Sequence, residues 1–269
     1  EFEREAEERS DTGEGFHSSG GSIPNLVWAL PETETTDRIR LSFFSRLLEK
    51  SALKLNGWYE HVNVDNPAYG TVLSHSDEAF FSASYKPSYN WGATGSIDIL
   101  RGNDSGRKEQ AENLALGMWY IPNETFSTDF NYGLINSRID QEVLFGTTTG
   151  YSIPSDADYQ QQVHTLSAGL NLRILKNINC RLEGYHIRSS AEFKPSFETL
   201  NLLYHDPPVP GEASSDELKE ISELNLRQNG IKARLSWELT EMLTAGIEYT
   251  FDDYEDKDSN AFDGSAQTV

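Results

Sequence analysis

The chain has a single cysteine, Cys180, in 269 residues. That excludes an internal disulfide framework, a cysteine-built zinc site and covalent haem attachment. No run approaches the roughly 20 continuous apolar residues of a spanning helix. Basic residues are scarce, 22 Lys and Arg against 43 Asp and Glu for a net charge of −21, so a phosphate-binding nucleic-acid surface is excluded. No glycine-rich phosphate loop, His-Glu-x-x-His helix or Gly-x-Ser-x-Gly elbow is present, and no enzymatic activity is expected. His17, His61, His75, His164, His186 and His205 are scattered without ligand-like spacing and read as loop or strand-end residues. Asp256–Asn260 lacks the glycine and the later glutamate of a calcium loop. The acidic runs Glu1–Glu14 and Asp252–Asp258 read as solvated loops.

What is present is period-two alternation, the mark of a strand with unlike faces. Trp91, Ala93, Gly95, Ile97 and Ile99 alternate with Gly92, Thr94, Ser96 and Asp98. Thr165–Ile174, Ile231–Leu239 and Leu243–Asp252 repeat the pattern. Arg38–Arg46, Leu53–Val64, Ala79–Lys86, Asn113–Ile121, Thr125–Ile139, Ile178–Ile187 and Leu218–Leu226 show it less clearly. Cys180 falls on the apolar parity with Ile178 and Leu182.

Connections alternate too. Leu47–Ser51, Lys86–Tyr89, Ile121–Glu124, Leu175–Asn177 and Leu239–Glu241 are tight; Asp11–Thr35, Asp65–His75, Asn103–Arg107, Thr147–Tyr159, Leu202–Ser215 and Asp256–Gly264 are longer and polar. Short turns on one side and longer loops on the other are how outer-membrane barrels are strung, with strands of only about 9–11 residues crossing the bilayer. The loops near Gly20, Gly70, Gly150 and Pro210 are then outside. The expected fold is an all-β, transmembrane, antiparallel up-and-down β-barrel, partial, with about 10–12 strands of a larger barrel. Glu1–Arg4 resembles a strand ending and Gln267–Val269 one beginning, so residues 1–269 read as one barrel segment in a longer pattern.

A soluble β-sandwich shares the alternation. Polar residues opposite the apolar parity favour the barrel: Lys54, Glu60, Asp98, Asp129, Arg173, Arg181, Glu183, Lys232, Arg234, Glu238 and Glu248 are candidates for a lumen wall. So do aromatics near strand ends (Trp58, Tyr59, Tyr85, Trp91, Trp119, Tyr120, Phe126, Trp237, Tyr249 and Phe251), as in interfacial girdles.

The turn style, as in Ile174-Leu175-Lys176-Asn177-Ile178-Asn179 and Trp237-Glu238-Leu239-Thr240-Glu241-Met242-Leu243-Thr244, resembles the decahaem-associated outer-membrane porins of the MtrB/PioB type. The resemblance implies a bacterial outer-membrane barrel that binds no cofactor itself. Its haem is carried by partners, periplasmic and extracellular multihaem c-type cytochromes, and the barrel sheaths the electron path from lipid. It carries over no individual residue. A diffusion porin and a soluble binding module are the alternative functions.

Overall fold

In the computed structural model, residues 2–8, 12–16, 22–29, 33–48, 52–65, 73–104, 106–146, 152–195, 223–240, 242–257 and 263–268 are described. The loop centres expected near Gly20, Gly70, Gly150 and Pro210, along with His17 and His205, lie outside them. The elements are strands: β1 (Phe2–Glu8), β2 (Thr12–Phe16), β3 (Ser22–Ala29), β4 (Thr33–Leu47) and β5 (Leu53–Asp65). There follow β6 (His75–Tyr85), β7 (Trp91–Asp104), β8 (Arg107–Asn123), β9 (Phe126–Gly146) and β10 (Ser152–Leu175). The last are β11 (Ile178–Pro195), β12 (Leu224–Thr240), β13 (Leu243–Asp256) and β14 (Gly264–Thr268).

Twelve of these form one antiparallel sheet in the order β1-β4-β5-β6-β7-β8-β9-β10-β11-β12-β13-β14, while β2 and β3 pair as a separate hairpin. Apart from that hairpin, every strand lies beside its sequence neighbours. The sheet is open, with β1 and β14 as its edges.

All five tight turns fall between consecutive strands, and Asp65 and His75 are the facing ends of β5 and β6. Other connections differ from the sequence reading. Asp11–Thr35 holds the β2–β3 hairpin and the start of β4. Asn103–Arg107 closes tightly, with Asp104 opposite Arg107. Much of Thr147–Tyr159 is strand β10, and Asp252–Asp256 completes β13. Leu224–Leu226 and Ile231–Leu239 belong to one strand, β12, in continuous pairing with β11.

Cross-strand partners share a face, so the ladders assign every side chain. One face carries a continuous apolar belt. On β7 it runs from Trp91 to Ile99, on β4 from Ile39 to Leu47, on β12 from Ile231 to Leu239 and on β13 from Leu243 to Phe251. Each span climbs about 26 Å along its strand at roughly 3.3 Å per residue, which matches an apolar band about 25 Å tall. Met118, Ile231 and Ile247 are each 58% exposed, and among the described residues the only buried hydrophobics are Val64 and Ala157. A sheet with this much exposed apolar surface and almost no core requires an apolar solvent.

The belt crosses the hydrogen-bonded rows at an angle. One row runs Leu47–Leu53–Tyr85–Ala93–Met118–Phe130–Ala168–Gly184–Ile231–Phe251. It starts at the short-turn margin of the belt on β4 and reaches the loop-side margin on β13. With strands about 4.8 Å apart, that drift corresponds to a strand tilt of roughly 30°, near the tilt of membrane barrels.

Several glycines in the ladders sit beneath an aromatic ring on the directly opposite residue: Gly57 under Phe43, Gly92 under Trp119 and Gly230 under Tyr185. A Cβ at Gly92 would lie 2.7 Å from Trp119 Cζ2. The ring fills the space that the glycine leaves in the sheet, so a residue type that ordinarily weakens strands is accommodated here.

Candidate functional site

The face opposite the belt is polar, and the register places every candidate wall residue on it: Lys54 and Glu60 on β5, Asp98 on β7, Asp129 on β9 and Arg173 on β10. Arg181 and Glu183 follow on β11, Lys232, Arg234 and Glu238 on β12, and Glu248 on β13.

Two charged clusters form on this face. In the first, Arg181 donates from Nη1 to Asp129 Oδ1 at 3.3 Å and Asn171 Oδ1 at 3.1 Å, and from Nη2 to Glu183 Oε2 at 3.0 Å. Arg234 stands directly opposite Arg181, and Lys232 opposite Glu183. Glu248 lies 3.5 Å from both Lys232 Nζ and Arg234 Nε, closing the cluster and relieving the Arg181–Arg234 repulsion. Arg173 joins its margin through Asn179. Lys54, Asp98 and Glu238 stand apart from it.

The second cluster, on β4–β7, was largely missed in the sequence. Glu60 Oε1 lies 3.7 Å from Arg38 Nε, and Glu60 Oε2 lies 3.7 Å from Arg40 Nη1. The Arg40 guanidinium sits 4.2 Å from the Trp58 ring centroid, and Trp58 stacks on Phe80. Glu78 and Asp98 complete the group. Arg38 and Arg40 share parity with Arg46, a signal the sequence held.

Between the clusters the wall is low. Lys54, Asn56, Ser82, Ser84, Thr94, Ser96, Ala115, Gly117, Asn131, Gly133, Thr165 and Ser167 line a groove of about 770 Å³, together with Phe44, Phe80, Tyr185 and Ile187. Trp58 and Trp119 lie on this polar face, which corrects their placement in an interfacial girdle. Tyr59 and Tyr120, their chain neighbours, point to the belt face as alternation demands. Tyr85, Trp91, Tyr120, Phe126, Trp237, Tyr249 and Phe251 do lie on the belt face.

His61, His164 and His186 sit inside strands on the belt face, loop-side of the belt, and are not loop residues. Nearby, Asp77 accepts a hydrogen bond from Tyr59 Oη and lies 2.9 Å from His61 Nδ1. The Tyr59 hydroxyl first, and His61 second, hold the Asp77 carboxyl below its ordinary value. Its contribution to β5–β6 pairing is therefore present above the ordinary carboxylate range and lost as pH falls through the lower folded value. Amide protection at the β5 and β6 strand ends, taken relative to the exchange rate of an unstructured chain at the same pH, is expected to be weaker at about pH 3 than at pH 6, and Asp77→Asn is expected to remove that difference in protection.

No family model matches the chain, and no curated protein matches it. Among solved structures, the chain is similar to BauA, the ferric preacinetobactin receptor from Acinetobacter baumannii. The TM-score is 0.55 at 9% identity, covering 87% of this chain and 42% of that one. The copper transporter OprC gives a TM-score of 0.48 at 11% identity, covering 100% of this chain and 40% of that one. The NanC porin gives a TM-score of 0.28 at 10% identity over 82% of each chain. The chain thus spans less than half the length of the first and second of these. An open antiparallel up-and-down sheet, belted on one face and polar on the other, is a partial transmembrane β-barrel of the outer-membrane type.

Proposed function

We propose that this chain is a wall segment of a porin in the bacterial outer membrane, and that its polar face surrounds an inserted partner. The supporting observation is how the polar face disposes its charges. Arg181, Lys232 and Arg234 pair within the wall, as do Arg38 and Arg40, and the groove between is mostly Ser, Gly, Ala, Thr and Asn, with Phe44, Phe80, Tyr185 and Ile187 beside them and Lys54 at its end. A selectivity constriction calls for charges projecting into the passage; a low wall whose arginines are paired along its own surface suits a face that another protein packs against. The open twelve-stranded sheet suits a closed barrel with further strands, and lumens of the largest barrels are plugged.

The partner class implied by the MtrB/PioB resemblance is a multihaem c-type cytochrome. In this reading the barrel does no chemistry and binds no haem itself; it keeps lipid away from haems carried by the partner. Co-purification of the full-length protein in detergent, followed by haem staining, tests this. A stoichiometric haem protein is expected. A haem-free barrel giving steady conductance in planar bilayers would instead establish a diffusion porin, whose passage the groove between the clusters would line.

A further inference from the structure

The belt face changes character loop-side of the belt on β10–β12. The last belt residues there are Leu166, Gly184 and Ile231. Beyond them, past the hydrogen-bonded pair His186 and Asn229 in the row of Leu166, comes a row in which His164, Arg188 and Arg227 stand directly opposite one another. The ladder neighbours of Arg188 on this face are His164, Leu166, Gln162, Arg227, Asn225 and Asn229, and none is acidic. In a chain of net charge −21 that is an unusual setting for an exposed arginine. Like charges directly opposite on a sheet repel unless a counter-charge joins them. Glu255 engages one side of Arg227, yet Arg227 Nε is buried without a hydrogen-bond partner. Among the described residues Arg188 has no ion-pair partner.

The next row outward is of a third kind. Asn136, Gln162, Ser190 and Asn225 follow one another across β9–β12, with Gln160 and the carboxylates of Glu192 and Glu223 beyond. Together they line a groove of about 400 Å³. Amide and hydroxyl groups can donate and accept at once, as sugar hydroxyls require. From the belt outward the surface is therefore apolar, then cationic, then amide-rich. Acyl chains, phosphate and sugar follow in that order in one class of membrane lipid. These rows lie on the side of the longer connections, which in outer-membrane barrels is the outer leaflet.

We propose that the belt face of β10–β12 binds a phosphorylated glycolipid of the outer leaflet. Arg188 and Arg227 clamp its phosphate, and Gln162 and Asn136 meet its sugar. Arginine suits this role because its planar fork meets phosphate with two N–H groups at once.

The test uses the delipidated full-length protein in detergent, titrated with a bisphosphorylated, hexa-acylated glucosamine disaccharide and read by native mass spectrometry. One lipid per protein is expected to bind. Arg188→Ala is expected to weaken binding about tenfold or more, with Arg188→Lys retaining part of it, since a charge-assisted contact is lost or reduced to a point charge. Dephosphorylating the lipid is expected to have an effect of similar size. Gln162→Ala is expected to weaken binding of the glycolipid and leave phosphatidylglycerol binding unchanged. Equal affinity for the dephosphorylated lipid, or unchanged affinity in a folded Arg188→Ala protein, overturns the proposal. So does phosphatidylglycerol bound as tightly as the glycolipid, or inorganic phosphate alone binding as tightly. Thermal stability of each variant without lipid separates misfolding from loss of the site.

Discussion

Leu116→Arg is expected to destabilise the full-length protein by ~2–4 kcal/mol in lipid vesicles, whereas Ala115→Arg, one residue earlier, is expected to cost ~1 kcal/mol or less. The two positions are neighbours on β8 but belong to opposite faces. Leu116 pairs with Gly95 and Tyr132 near the middle of the belt and is 46% exposed. Ala115 pairs with Ser96 and Gly133 in the polar groove. An arginine at 116 would have to reach across half the belt for water, while one at 115 would extend into a polar surface. Denaturant titration of the vesicle-embedded protein measures both. Equal costs would contradict a lipid-facing belt, and a larger cost at 115 would reverse the assignment of the faces.

That contrast also explains how much of the fold could be read from the sequence. Within the belt one side of the sheet is apolar and the other polar, so Trp91–Ile99 and Ile231–Leu239 announce themselves by alternation. Loop-side of the belt both faces are polar and the period disappears. Ser152–Tyr159 therefore read as loop although it pairs residue by residue with β9, and Asp252–Asp256 read as an acidic loop although it completes β13. Sequence pattern records the membrane-embedded part of each strand, and hydrogen bonding carries the strand on.

The charged clusters were legible only in part for a related reason. Alternation can place Arg181, Glu183, Lys232 and Arg234 on one face, but their pairing depends on register across β11 and β12, which turn geometry fixes and local pattern does not. The same holds for Arg188 and Arg227, far apart in the chain and opposite in the ladder. The dipeptides Trp58-Tyr59 and Trp119-Tyr120 were a different matter. Adjacent residues of a strand cannot share a face, so one ring of each pair had to leave the girdle.

Gly230→Val is expected to be the most damaging substitution on the polar face. Gly230 is buried opposite Tyr185, and a Cβ there would run into the phenol ring. The ring is also held at its far end, where the hydroxyl donates to Asp252 Oδ1, which in turn accepts from Gln228 Nε2 at 2.9 Å. Valine would therefore force the ring out of its place and break its hydrogen bond to a charged acceptor. Overpacking costs ~1–3 kcal/mol and a charge-assisted hydrogen bond ~1.5–3 kcal/mol, so a total loss of ~3–5 kcal/mol is expected. Tyr185→Ala alone gives up the ring and the bond but adds no clash. If the ring is what valine strikes, Gly230→Val in the Tyr185→Ala background costs little or even stabilises β12, because valine favours strands and glycine does not. Additive losses in that double-mutant cycle would mean that the glycine serves the backbone, not the tyrosine above it.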